Sequence, residues 1–192
     1  MNSEKAEKAL VLLAGGSEEI EVVTIIDVLR RGGVEVVVAS ATGKAEVLCS
    51  RGVRLVADAV LPEDEGEALR FAEGFDAVAL PGGLGGTEAF AADARVLAVL
   101  RAALARGAVV AAVCAAPMAL DAAGVLAGRR FCCYPGIEKG LSGAGTFVPG
   151  AETVADGRLV TGTGPGTAAA FALAVLRALG GPADDVARGM LL

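Results

Sequence analysis

Near the start of the chain, two short apolar runs flank one amphipathic helix, and this pattern constrains the fold more than any other feature. Residues 9–14 (ALVLLA) and 34–40 (VEVVVAS) are continuous apolar stretches of the kind found in strands buried on both faces. Between them, Ile20, Val22, Val23, Ile25, Ile26, Val28 and Leu29 recur at helical spacing over residues 18–31. Ser17 reads as the N-cap, with Glu18 and Glu19 in a solvated first turn, Arg30 and Arg31 in the last, and Gly32-Gly33 as the stop. A strand, a tight helix and a second strand form a βαβ unit, the opening of a doubly wound parallel sheet.

The alternation continues. Residues 46–59 read as two short strands around Arg51-Gly52, a β-ribbon at the domain edge. Residues 62–74 are acidic and amphipathic, and their EDEGE run reads as a solvated face. Residues 76–80 form a strand ending in PGGLGG, residues 93–106 a helix, and 108–113 the next strand. A helix is predicted over 116–123 and a further strand over 130–134. Strands at 153–155 and 158–161 flank Asp156-Gly157, a hairpin signal. A helix is predicted over 168–179, and a terminal one opens with Pro182 at its first position. With no repeat or linker in view, this predicts one domain over residues 1–192, an α/β sheet between two helical layers.

The chain is 54% hydrophobic and 21% charged, as a folded domain should be. Its net charge of −6 excludes nucleic acid as the expected partner, because phosphate binding needs clustered Lys and Arg. No apolar run approaches the roughly 18 residues needed to span a bilayer. Residues 1–14 (MNSEKAEKALVLLA) read as a first strand rather than a signal peptide. The expected location is the cytoplasm, where Cys49, Cys114, Cys132 and Cys133 would be reduced thiols. There is no histidine, which removes any Cys-His or Ser-His dyad and the commonest metal ligand. PGGLGG and GTGPGT do not match phosphate-loop spacing. No cofactor and no metal are expected.

Candidate chemistry gathers at the predicted carboxyl ends of strands. In residues 109–117 (VVAAVCAAP) a strand delivers Cys114 into a turn that enters a helix, so Cys114 is either an elbow nucleophile or a small buried thiol. As a nucleophile it would be made a thiolate by the helix N-terminus. Glu21 shares a helix face with Ile25 and Leu29. It is either at the edge of the apolar stripe or a buried acid–base group whose pKa is raised. Gly82 and Gly83 offer N–H groups to an oxyanion together with Ala115, or simply make a tight turn. Cys132 and Cys133 read as buried thiols, and Cys49 as a surface or interface thiol.

Taken together, LAGGSEEIEVVTIIDVLRRGG, CSRGV, DAVALPGGLGG, VVAAVCAAP and TGTGPGTAAAFAL resemble the DJ-1/ThiJ/PfpI superfamily, and most closely its DJ-1-like branch with the YajL-type members. The resemblance runs from about residue 9 to residue 180. It implies a flavodoxin-like αβα sandwich with a mostly parallel sheet, working as a homodimer. It also implies Cys114 as the reactive cysteine, Glu21 as its protonated partner, and Gly83 and Ala115 as backbone donors. Arg31 and Arg51 match basic residues that approach the partner's site across the dimer interface. Tyr134 stands where many members have a histidine. Ala115 stands where the protease branch has one, which argues against a peptidase. The implied functions are glutathione-independent glyoxalase or protein deglycase chemistry on methylglyoxal and glycated adducts. The alternative is an oxidative-stress sensor and redox-regulated chaperone working through the sulfinic acid of Cys114.

Overall fold

The computed structural model describes residues 6–192; the start of the stretch read above against a signal peptide, residues 1–5, lies outside them. The elements run β1 (Lys8–Leu13), α1 (Glu19–Arg31), β2 (Glu35–Ser40), β3 (Glu46–Leu48), β4 (Arg54–Val56), β5 (Ala59–Val60), α2 (Glu65–Ala72), β6 (Ala77–Leu80) and α3 (Leu84–Ala92). There follow α4 (Ala94–Ala105), β7 (Val109–Val113), α5 (Pro117–Ala122), β8 (Arg130–Phe131), β9 (Thr146–Phe147), β10 (Thr153–Asp156), β11 (Leu159–Gly162), α6 (Ala168–Ala178) and α7 (Ala183–Gly189).

Seven strands form one sheet in the order β10-β11-β7-β6-β1-β2-β5. Every neighbouring pair is parallel except the β10–β11 hairpin. The strand periodicity of two sorts side chains between the faces. On one face Ala9 and Val11 of β1 pack with Ile25, Leu29, Phe171 and Leu176 from α1 and α6. On the other, Leu10 and Leu12 pack with Ala68, Phe90, Val99 and Leu120 from α2, α3, α4 and α5. The flavodoxin-like αβα sandwich is therefore present. The expected ribbon is the antiparallel pair β3–β4, which covers Val22 of α1 with Val47 and Cys49. Among the described residues no helix is long and apolar enough to cross a membrane.

Local readings change in three places. The N-cap of α1 is Glu18, whose side chain accepts the Glu21 N–H. Ser17 instead is buried and accepts the Ala14 N–H, closing the turn after β1. Pro182 is the N-cap of α7 rather than its first residue. Helix α3 begins inside PGGLGG, where glycines argued for a loop. Gly86 is needed for close approach: a Cβ there would lie 2.7 Å from the Ser17 hydroxyl. The order of strands reverses on either side of β1, so the carboxyl ends of β1, β6 and β7 meet at a topological switch point.

Candidate active site

Cys114 directly follows β7 and has φ 63°, a left-handed conformation shared among the described non-glycine residues only with Leu191. Such a backbone costs an L-residue about 1–2 kcal/mol. Neighbouring strands and loops hold it: its N–H donates to Gly162 O at 2.9 Å, and its carbonyl accepts the Tyr134 N–H at 2.8 Å. The turn sets the side chain beside Glu21 of α1 and the glycines that follow β6, and the residue is 9% exposed. Pro117 opens α5 behind it.

From β1 comes α1, and Glu21 on its first turn has no exposed surface. Its Oε2 accepts the Gly82 N–H at 2.7 Å, its Oε1 has no hydrogen-bond partner among the described residues, and the carboxyl as a whole faces the Cys114 thiol. A Cβ on Gly82 would stand 2.5 Å from Cys114 Cβ and 2.8 Å from Glu21 Oε2, so only glycine lets acid and thiol meet here. The Gly82 N–H is thus committed to the acid. The N–H groups directed at the sulfur are those of Gly83 and Ala115. Gly83 has φ 83°, and a Cβ there would strike Gly16 O.

Burial pushes the Glu21 carboxyl up to about 7, although the Gly82 N–H and the Cys114 thiol favour its charged form. Burial also pushes the Cys114 thiol up to about 12; Glu21 adds to the rise, and the Gly83 and Ala115 N–H groups oppose it. The Gly83 and Ala115 N–H groups act in the direction of the expected thiolate, while burial and Glu21 act against it. Two adjoining anions in an apolar pocket repel, so the pair carries one negative charge at a time. Deprotonation of the sulfur is coupled to Glu21.

The thiol opens into a cavity of about 390 Å³ whose wall includes Glu18, Ser50, Arg51, Gly83 and Tyr134. Another cavity of about 320 Å³, at the amino edge around Asp76 and Arg106, has no cysteine, serine or threonine in its wall. Tyr134 is half exposed. Arg51 lines its own chain's cavity. Arg31 does not: it pairs with Asp27 at 2.6 Å on the last turn of α1, about 15 Å along the axis from Glu21. Cys132 and Cys133 are buried, as read from sequence. Cys49 is not the surface thiol expected; it is 4% exposed under the ribbon, its pKa pushed up to about 11 by burial and by the charges of Glu19 and Glu18.

Glu19 is also unlike its reading. It is buried rather than solvated, and bonds Ser50 and Arg51 of the ribbon turn. A signal for this lay in the helix pattern, since Glu19 shares a face with Val22 and Ile26.

The profile of the DJ-1/PfpI family matches residues 7–178. The chain belongs to the DJ-1/PfpI family. Relatives in it include protein dj-1beta of Drosophila melanogaster, 39% identical over 97% of this chain and 98% of its own length. The glutathione-independent glyoxalase DJR-1.2 of Caenorhabditis elegans is 34% identical over 92% and 90%. The crystal structure of Drosophila DJ-1beta superposes with a TM-score of 0.91, covering 98% of this chain and 99% of that one. Oxidized DJ-1 of Toxoplasma gondii, 36% identical, gives 0.86 over 97% and 98%. Within this DJ-1/PfpI chain the whole acid–thiol arrangement is built without histidine.

Proposed function

We propose that the protein is a glutathione-independent glyoxalase or deglycase that uses Cys114 on reactive aldehydes such as methylglyoxal. One observation carries the reading: a fully buried Glu21, poised to exchange a proton near neutral pH, faces a thiol held at positive φ between two backbone donors. The named activity of the Caenorhabditis elegans relative supports it.

Glu21 as carboxylate takes the Cys114 proton while the sulfur adds to the aldehyde carbon. The C=O electron pair moves onto oxygen, which the Gly83 and Ala115 N–H groups receive; Glu21 passes the proton to that oxygen, giving the hemithioacetal and returning to carboxylate. Glu21 then removes the C–H proton from the former aldehyde carbon and returns it to the adjacent carbon, while the hydroxyl proton passes to the ketone oxygen, leaving a thioester of lactate. Water cleaves it, freeing lactate and the thiol. The sum is methylglyoxal plus one water, with no external oxidant. Tyr134 occupies the wall where a histidine would otherwise serve, and Ala115 beside the nucleophile gives a peptidase no base. The proposed unit is residues 1–192 in the cytoplasm, working as a homodimer. Exposed Ile20 and Val23 on α1 and Leu48, Val53 and Val56 on the ribbon supply an apolar face for that contact. Arg31 would act only across that contact.

A second reading, a redox sensor and chaperone, is favoured by the oxidized state of the Toxoplasma relative. Peroxide would take Cys114 to the sulfinic acid, with protonated Glu21 donating to it. The discriminating experiment incubates purified protein with methylglyoxal and no glutathione. Lactate from wild type and none above background from Cys114→Ala is expected; equal rates defeat the enzymatic reading.

A further inference from the structure

Glu19 reaches from α1 to a turn about thirty residues further along the chain. Its Oε2 accepts the Ser50 hydroxyl at 2.8 Å, and its Oε1 accepts the Arg51 N–H at 2.8 Å. Two backbone bonds lace the same segment to the loop after β1: Ser50 N–H donates to Ser17 O at 2.8 Å, and Gly16 N–H to Leu48 O at 2.9 Å. Burial alone would raise the Glu19 pKa. Its own N–H, the Ser50 hydroxyl and the Arg51 and Val53 N–H groups outweigh that and hold the carboxyl below its ordinary value, so it is charged at neutral pH.

The turn so held forms one side of the Cys114 cavity, and Arg51 is the one cationic side chain in the wall. Arg51 is exposed, its guanidinium donates to the adjacent Ser50 carbonyl at 3.3 Å, and it makes no ion pair among the described residues. Its placement therefore comes from the backbone beneath it. Glu18 also lines the cavity, but its Oε2 is turned to the Glu21 N–H at 2.9 Å, against the positive end of α1.

We propose that Glu19 is a positioning residue that fixes the ribbon turn so that Arg51 stands at the cavity mouth and favours electrophiles carrying an anionic group. This rests on reading Cys114 as the nucleophile. The sign of one substitution separates positioning from plain charge. Removing a carboxylate near the mouth should, by Coulomb's law alone, make the site more welcoming to anions. If Glu19 acts by holding Arg51, its removal should do the opposite.

The test alkylates Cys114 with iodoacetate and iodoacetamide, a charged and a neutral reagent of nearly equal size, and reads site-specific rates by mass spectrometry. Arg51→Ala and Glu19→Ala are each expected to lower the iodoacetate-to-iodoacetamide rate ratio by roughly two- to fivefold, the range for an exposed charge interaction. Glu19→Gln, whose amide oxygen still accepts from the turn, should hold the ratio at or above wild type. An unchanged or raised ratio in Glu19→Ala overturns the proposal, as does no change in Arg51→Ala. Should Glu19→Ala not fold, Ser50→Ala decides, a lowered ratio supporting the proposal and an unchanged one defeating it. The ratio needs no turnover. A protein that makes no lactate yet shows the drop loses the glyoxalase reading and keeps this one; a protein that makes lactate without the drop does the reverse.

Discussion

Glu21 binds its proton more tightly in the folded chain than in the unfolded one, because burial penalises the carboxylate first and foremost. Its folded pKa of about 7 lies above the ordinary 4.5, so its contribution to stability is complete below about pH 4.5 and is lost as pH rises through 7. The whole shift corresponds to up to about 3 kcal/mol. Glu21→Gln keeps an acceptor for the Gly82 N–H and removes the charge. It should stabilise the protein by up to about that amount near pH 8 and by little near pH 4, seen in denaturant melts at the two pH values. Gly82→Ala should destabilise by about 1–3 kcal/mol and slow Cys114 alkylation, since its methyl would push into both the thiol carbon and the acid. An alanine variant with native stability and reactivity would contradict that geometry. The face shared with Ile25 and Leu29 made Glu21 readable from sequence. Glu19 and Cys49 were misread for one reason: the ribbon that buries them joins α1 only through tertiary packing, and helix-end charge is an ordinary solvated feature.

At the scale of elements, the site depends on where α1 starts. Glu18 caps it through a 2.9 Å bond to the Glu21 N–H, which also sets the first turn that carries the catalytic acid we propose. Glu18→Ala should cost about 1 kcal/mol in thermal or denaturant unfolding, a typical loss for a side-chain N-cap. No change in stability would show that the cap contributes nothing. The elbow after β7 and the β10–β11 hairpin were legible because each is local, a strand followed by turn chemistry. Helix α3 was not. Its Gly86 is explained only by Ser17, a residue distant in sequence that packs against it.

For the whole molecule, the βαβ opening and the later apolar runs were enough to anticipate a parallel sheet covered on both sides. Strand order was not readable, and it is the order that gathers β1, β6 and β7 at one edge. The same assembly leaves Val56 73% exposed and Ile20 56% exposed on adjoining elements, with no covering layer of their own. If that face joins two copies, Val56→Asp should shift sedimentation velocity from dimer to monomer, whereas wild type sedimenting as a monomer would refute the proposed contact. The absence of histidine from the chain leaves Glu21 as the group titrating near neutral pH within the proposed machinery. The most direct measurement is therefore the initial rate of lactate formation from methylglyoxal, without glutathione, from about pH 5 to about pH 9. The expected result is a rate that rises through a midpoint near 7 in wild type and is absent from Cys114→Ala. A flat profile, or one unchanged in Cys114→Ala, would contradict the Cys114–Glu21 mechanism.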